Sequence, residues 1–93
     1  MISAEVLRDA EQRRMAWRCR RGMLELDIVL QRFIKEKFNE LSLAELEVFD
    51  GFLDMPDNEF WELIKSNKPH ENKAVNNIIT KLNAASRLVL KDF

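Results

Sequence analysis

The stretch MLELDIVLQRFIKEKF, residues 23–38, decides the fold that we predict for this chain. Its apolar side chains recur at intervals of three and four residues, which places them on one side of an α-helix. They are Met23, Leu26, Ile28, Val29, Leu30, Phe33, Ile34 and Phe38. A face this broad needs several neighbours to cover it. We therefore expect a helix from about Met23 to about Phe38 at the centre of an all-α domain.

The residues before this central helix predict a first helix and a break. Ser3 can cap a helix that runs from about Ala4 to about Arg20. The residues that recur at helical spacing are Val6, Leu7, Ala10, Arg14 and Trp17, and the apolar stripe among them is thin. Gly22 follows, and glycine favours the left-handed conformation in which helices often end. We place Gly22 at the junction of the two helices.

A third helix is marked by the clearest local signal in the chain. Ser42-Leu43-Ala44-Glu45 has the spacing of a capping box, in which the serine hydroxyl and the glutamate each bond to the other residue's amide. The helix should run to about Leu53. Its predicted buried residues are Leu43, Leu46, Phe49 and Leu53, with Phe52 beside them, and its predicted exposed residues are Glu45, Glu47 and Asp50.

Two further helices complete the predicted bundle. Pro56 ends the third helix, and Asp57 is expected to cap a fourth helix over Asn58–Lys65. The fourth helix is anchored by Phe60, Trp61 and Ile64. A fifth helix should run from about Asn72 to about Ala85, with a stripe of Val75, Ile78, Ile79 and Leu82. The predicted fold is a small five-helix bundle with short loops, in one domain of residues 1–93. Residues 1–3 and about 86–93 are candidates for fraying, and docking of the apolar C-terminal residues on the core is the alternative.

Composition and charge restrict the possible functions. The chain has 93 residues, of which 46% are hydrophobic and 33% charged, as in folded soluble proteins. Residues 1–22 carry six basic and three acidic side chains, whereas residues 23–62 carry three basic and eleven acidic ones. Such an acidic middle third would repel a phosphate backbone, so we expect no nucleic-acid partner. The absence of a long apolar run predicts no membrane span and a cytoplasmic protein.

The inventory of reactive side chains argues against an enzyme. His70 is the one histidine and is expected to be a solvent-exposed loop residue. Cys19 is the one cysteine, and neighbouring arginines would lower its pKa and raise its reactivity. Without a second cysteine or a nearby histidine, we expect a small residue on the helix surface or half-buried, with no catalytic role. One cysteine and one histidine cannot form a zinc site. We predict no catalytic residue and no metal site.

The arginine cluster before Gly22 admits more than one interpretation. Five arginines fall within nine positions: Arg13, Arg14, Arg18, Arg20 and Arg21. They could form a solvated helix face whose long side chains cover apolar surface. They could instead bind a partner's carboxylates in bidentate geometry, while Gly22 allows a partner's main chain to approach closely. We favour a protein–protein contact.

The same stretch resembles a known family. Arg21-Gly22-Met23-Leu24-Glu25 matches the R-G-x-x-E motif of the succinate dehydrogenase flavinylation factors, the SdhE family, whose members are also known as CptB-type antitoxins. The longer string W-R-x-R-R-G-M-x-E-L-D, from Trp17 to Asp27, is similar to the family signature. The likeness extends from about Arg13 to Ile64. Phe60 departs from the family pattern, since an aliphatic residue is expected there.

The resemblance implies a function that composition does not show. It implies one SdhE-like helical domain that binds the immature flavoprotein subunit of succinate dehydrogenase, and of fumarate reductase in some bacteria. It also implies that the factor promotes covalent attachment of FAD to a histidine of that subunit. FAD is then the cofactor of the partner. We expect no stably bound cofactor in this chain, which we expect to be a monomer.

We expect the partner-binding residues to be those of the motif and their charged neighbours. They are Arg21, Gly22, Glu25, Arg18, Arg20 and Asp27. In this hypothesis Arg21 pairs with a partner carboxylate or carbonyls, Gly22 lets the two backbones meet, and Glu25 accepts from a partner donor. Two alternatives stay open: an antitoxin or regulatory adaptor that binds a toxin or cytoskeletal protein, and nucleic-acid binding through the arginines.

Overall fold

Five α-helices follow one another along residues 4–91, the part of the chain described by the structure, which is a computed structural model. They are α1 (Ala4–Arg18), α2 (Leu24–Lys37), α3 (Leu43–Phe52), α4 (Asp57–Ser66) and α5 (Lys73–Lys91). A 3-10 turn, Phe38–Glu40, extends α2. No strand occurs in residues 4–91, so the all-α prediction is confirmed. The predicted cap, Ser3, lies outside the described residues.

The core forms around α2, as predicted. This helix buries Leu26, Val29, Leu30, Phe33 and Ile34. The ring of Phe33 lies 5.2 Å, centroid to centroid, from the ring of Phe49 on α3. The apolar stripe of α5 closes the core through Ile78, Ile79 and Leu82, all of them buried. No helix among residues 4–91 has the length and apolar character needed to cross a membrane.

The predicted buried face of α1 is wrong. Val6, Leu7 and Trp17 are 54%, 57% and 71% exposed, whereas Met15 and Cys19 reach the core. Polar contacts help to hold the rest of α1 in place. The Gln12 amide donates to the Ile34 carbonyl at 3.1 Å, and the Arg8 guanidinium donates to the Leu41 carbonyl at 3.0 Å. The helix also ends two residues earlier than expected, at Arg18.

The capping box of α3 is present, but two of its side chains are placed differently from the prediction. The Ser42 hydroxyl accepts from the Glu45 amide, and the Glu45 carboxylate accepts from the Ser42 amide, both at 3.1 Å. Glu45 is buried rather than exposed, and Leu43 is 81% exposed rather than buried. The box draws Glu45 back over the helix end, where Lys81 of α5 donates to it at 3.0 Å. The bond from the Ser42 amide, supported by Lys81, lowers the pKa of Glu45.

The last two helices differ from the prediction at their ends. Pro56, not Asp57, is the N-cap of α4, and Asp57 makes no capping bond. The helix ends in a left-handed Asn67, with φ of 46°. The C-terminal helix α5 continues to Lys91 rather than to about Ala85, because Ser86 and Val89 are buried.

Candidate functional site

Three arginines of α1 and its following loop face three aspartates, which lie on α3, in the turn after it and at the first position of α4. We call this set the arginine–aspartate ladder, and its pairs are Arg14–Asp50 (3.3 Å), Arg18–Asp54 (2.8 Å) and Arg21–Asp57. The partners are separated by 36 residues in every pair. A constant separation means that the two segments run in the same direction. Arg18 also forms an ion pair with Asp50 and so links the first two pairs of the ladder.

Arg21 is the most deeply buried arginine of the ladder, with a side chain that is 12% exposed. Its guanidinium donates to the Leu53 carbonyl at 2.6 Å and to the Met55 carbonyl. It also pairs with Asp57 and lies 5.6 Å from the centroid of the Phe60 ring. The Leu53 carbonyl belongs to the C-cap of α3 and lacks a partner within that helix, and the Met55 carbonyl belongs to the turn that follows; Arg21 donates to both. The guanidinium therefore ties the loop after α1 to the end of α3.

The loop that follows Arg21 is held by Asp27 of α2. One carboxylate oxygen accepts from the Arg21 amide at 2.8 Å, and the other accepts from the Gly22 amide at 3.1 Å. Gly22 has φ of +96°, a conformation that L side chains rarely adopt. The predicted left-handed glycine between two helices is confirmed. A Cβ atom placed on Gly22 would meet no atom within 4 Å, so the glycine faces open space.

An exposed surface surrounds this glycine along the chain. Leu24 is 64% exposed, and Arg20 and Glu25 are also exposed. The Glu25 carboxylate lies in the first turn of α2, where the helix dipole favours negative charge. No hydrogen bond or ion pair engages that carboxylate among the residues the structure describes. We call Arg20, Gly22, Leu24 and Glu25 the Gly22 surface.

The six predicted partner-binding residues thus divide into two groups. The side chains of Arg18, Arg21 and Asp27 bond within the chain. The other three, Arg20, Gly22 and Glu25, face solvent. Their role in partner binding stays a prediction.

Sequence reasoning missed the acidic half of the ladder, although a signal was present. The arginines at 14, 18 and 21 and the aspartates at 50, 54 and 57 share the same spacing of four and then three residues. Matched spacing of opposite charges on two amphipathic segments is what a ladder between parallel helices requires. Asp57, the predicted cap of the fourth helix, forms an ion pair with Arg21 instead, and Asp54 forms one with Arg18.

Cys19 is fully buried, with no exposed area, rather than half-buried. Burial in the core raises the pKa of its thiol to about 12, although Arg21 and Arg18 act in the opposite direction. The expectation that the arginines lower this pKa is therefore wrong, because desolvation of the thiolate is the larger effect. The Cys19 side chain packs in the hydrophobic core.

A thiol of this kind should react slowly in the native protein. We expect Ellman's reagent at pH 8 to modify native Cys19 at least about tenfold more slowly than the unfolded chain, since the thiolate is scarce and enclosed. A variant that combines Cys19→Ala with Ser66→Cys supplies an exposed thiol as control. Equal rates for the native Cys19 thiol and for the thiol introduced at position 66 would show that the native thiol is accessible.

No group of three His, Cys, Asp or Glu side chains within residues 4–91 is arranged to hold a metal ion. His70 is exposed, and its Nδ1 accepts from the Asn72 amide at 3.0 Å. The reactive residue types are thus scattered. What the surface offers is charge, exposed apolar groups and an open glycine, which are features of a binding surface.

Comparison with known proteins gives a consistent result. Residues 13–86 match the family model Sdh5, described as flavinator of succinate dehydrogenase. The chain is 40% identical over 74 residues to the FAD assembly factor SdhE of Coxiella burnetii, covering 80% of this chain and 90% of that protein. It is 37% identical over 82 residues to the protein of the same name from Aliivibrio fischeri, covering 88% and 90%. A Legionella pneumophila SdhE is 51% identical over 43 residues, covering 46% and 54%.

Proposed function

Because the chain belongs to the Sdh5 family, the flavinators of succinate dehydrogenase, we propose that it is a FAD assembly factor. It binds the immature flavoprotein subunit of succinate dehydrogenase and promotes the covalent attachment of FAD to that subunit. The observation that carries this proposal is the family match over residues 13–86, which includes the ladder and the Gly22 surface. The antitoxin or adaptor alternative is not supported by the relatives' names.

The factor acts by binding rather than by chemistry of its own. FAD is the partner's cofactor, and the reacting groups belong to FAD and to the flavoprotein. A bound factor can hold the flavoprotein in the arrangement that brings these groups together, and positioning alone can remove several kcal/mol from a barrier. Such a role requires a stable, preorganised surface, which the arginine–aspartate ladder provides.

The geometry supports different roles for the two groups of motif residues. Arg21 and Asp27 are positioning residues, since they bond to the loop, to α3 and to α4. Gly22 and Glu25 are the residues that a partner can reach. In our proposal Glu25 accepts from a donor of the flavoprotein, and Gly22 allows the two backbones to approach.

Reconstitution from purified components tests the function directly. The apo form of the flavoprotein subunit is incubated with FAD, with and without the factor, and covalent flavin is measured by in-gel fluorescence. We expect the factor to increase the rate of flavinylation. No increase would overturn the proposed function. We extend the proposal to the flavoprotein of fumarate reductase, which is tested in the same assay. The mass of the factor–flavoprotein complex tests our expectation that the factor binds as a monomer.

Truncating Glu25 should weaken the activity without affecting the fold. We expect Glu25→Ala to reduce flavinylation at limiting factor concentration by about fivefold, which corresponds to about 1 kcal/mol of lost binding free energy. Glu62→Ala is the matched control, because Glu62 is also an exposed helical glutamate. Equal flavinylation by the Glu25→Ala and Glu62→Ala variants would show that Glu25 does not contact the flavoprotein.

A further inference from the structure

The arginines near the end of α1 divide according to the side of the helix on which they lie. Arg14 and Arg18 point toward Asp50 and belong to the ladder. Arg13 is exposed, and so is Arg20 in the loop that follows. Among the residues that the structure describes, neither the Arg13 nor the Arg20 guanidinium makes a hydrogen bond or an ion pair. Two of the clustered arginines are therefore not used by the fold.

These two arginines line a groove between α1 and α2. The groove has a volume of about 590 Å³. Its charged and aromatic lining consists of Arg13, Trp17, Arg20, Arg32, Lys35 and Glu36. Arg32 and Glu36 pair with each other at 3.2 Å, which leaves three cations without an acidic partner in the described structure. The groove is therefore a positively charged surface on a chain whose net charge is −1.

An exposed indole accompanies this charge. Trp17 is 71% exposed, and the Arg20 guanidinium carbon lies 5.2 Å from the centroid of its ring. Exposed tryptophan and arginine side chains are enriched where proteins bind one another, because they combine apolar area with directed hydrogen bonds. The open groove can thus accept a segment that carries carboxylates and an apolar side chain.

The position of the groove in the fold favours carboxylates over phosphate. Phosphate sites commonly use the free amides of a helix N-terminus or a glycine-rich loop. Here the lining comes from the C-terminal half of α1, from Arg20 in the loop after it, and from residues 31–36 near the end of α2, so no helix N-terminus contributes to it. Side-chain cations spread along the groove suit separate carboxylates, which arginine binds in bidentate geometry.

We propose that the α1–α2 groove binds an acidic segment of the flavoprotein partner, as a contact additional to the Gly22 surface. This inference rests on the proposed function, because it takes the flavoprotein as the partner. The cations of Arg13, Arg20 and Lys35 pair with carboxylates of that segment, and Trp17 packs against an apolar side chain. Charge pairing of this kind accelerates association and makes it sensitive to salt.

Charge reversal in the groove tests the inference. The double variant Arg13→Glu/Lys35→Glu changes two exposed side chains of the groove, and Lys73→Glu/Arg87→Glu makes the same charge change on α5. Binding to the purified apo flavoprotein subunit is measured at low and physiological salt, with thermal unfolding as the check of folding. We expect the groove variant to associate about tenfold more slowly than the control variant at low salt, with a weaker dependence on salt.

The outcomes separate this inference from the proposed function. If wild-type factor binds and the groove variant behaves like the control variant, the groove inference is overturned and the proposed function stands. If wild-type factor does not bind the flavoprotein, both are overturned.

Discussion

Replacing Arg21 with alanine should lower the free energy of unfolding by about 3 kcal/mol. The side chain is 12% exposed, and its removal leaves the Leu53 and Met55 carbonyls and the Asp57 carboxylate without their donor. A partly buried carboxylate that has lost its cation is costly, and so are carbonyls that have lost a charged donor. The measurement is urea unfolding followed by circular dichroism.

The neighbouring arginine provides the control for this experiment. Arg20→Ala removes the same side chain one position earlier, where it is exposed, and it should change the free energy of unfolding by less than about 0.5 kcal/mol. Arg21→Lys should recover only part of the loss, because an ammonium group cannot reach three acceptors in the planar arrangement of a guanidinium. If Arg21→Ala and Arg20→Ala are equally stable, the contacts of Arg21 do not stabilise the fold.

The Arg21→Ala variant also tests how the motif arginine affects flavinylation. We infer that Arg21→Ala loses activity through the loosened loop, so its loss should diminish at lower temperature, where more of the protein is folded. The sequence alone suggested direct pairing of Arg21 with a partner carboxylate. That hypothesis predicts the opposite result: undiminished stability together with a loss of activity that temperature does not restore.

The sequence predicted those features of the fold that depend on interactions between residues close together in the chain. The broad stripe of α2 and the capping box at Ser42 act within one or two turns, so spacing alone identifies them. The prediction of the buried face of α1 was wrong because the helix has few apolar residues and two different pairs of them could have been the buried pair. Val6 with Leu7, and Met15 with Cys19, are both compatible with a helix, and only the packing against α2 selects the second pair.

The contacts of the loop around Gly22 could be predicted only in part. The motif located the loop around Gly22, and the structure confirms the positive φ that a glycine there implies. The motif itself did not show that Arg18 and Arg21 are engaged, because their aspartates lie 36 residues further along the chain and only the matched spacing of the two sets points to the pairs. Glu45 illustrates the same limit: its capping bond was local and predicted, whereas its burial depends on Lys81 of α5.

Among single substitutions, we expect Gly22→Ala to show the clearest difference between a large loss of flavinylation and a small loss of fold stability. An L-residue at φ of +96° costs about 1–2 kcal/mol, which should lower the melting temperature by several degrees and leave the protein folded. Apart from the glycine and its two chain neighbours, no atom of the described residues lies within 4 Å of the added Cβ, so the methyl group faces open space rather than the core. We expect flavinylation at limiting factor concentration to fall more than about tenfold, as measured by in-gel flavin fluorescence.

Two further variants distinguish backbone strain from contact with the partner. Gly51 lies within α3 and also has open space around it, so Gly51→Ala should stabilise the fold by about 0.5–1 kcal/mol and leave activity unchanged. Asparagine tolerates positive φ better than alanine but is larger. If strain alone matters, Gly22→Asn will be both more stable and more active than Gly22→Ala. If the glycine is needed for close approach of the flavoprotein, as we propose, Gly22→Asn will be the more stable variant but no more active, since its side chain occupies the space that the partner's backbone requires.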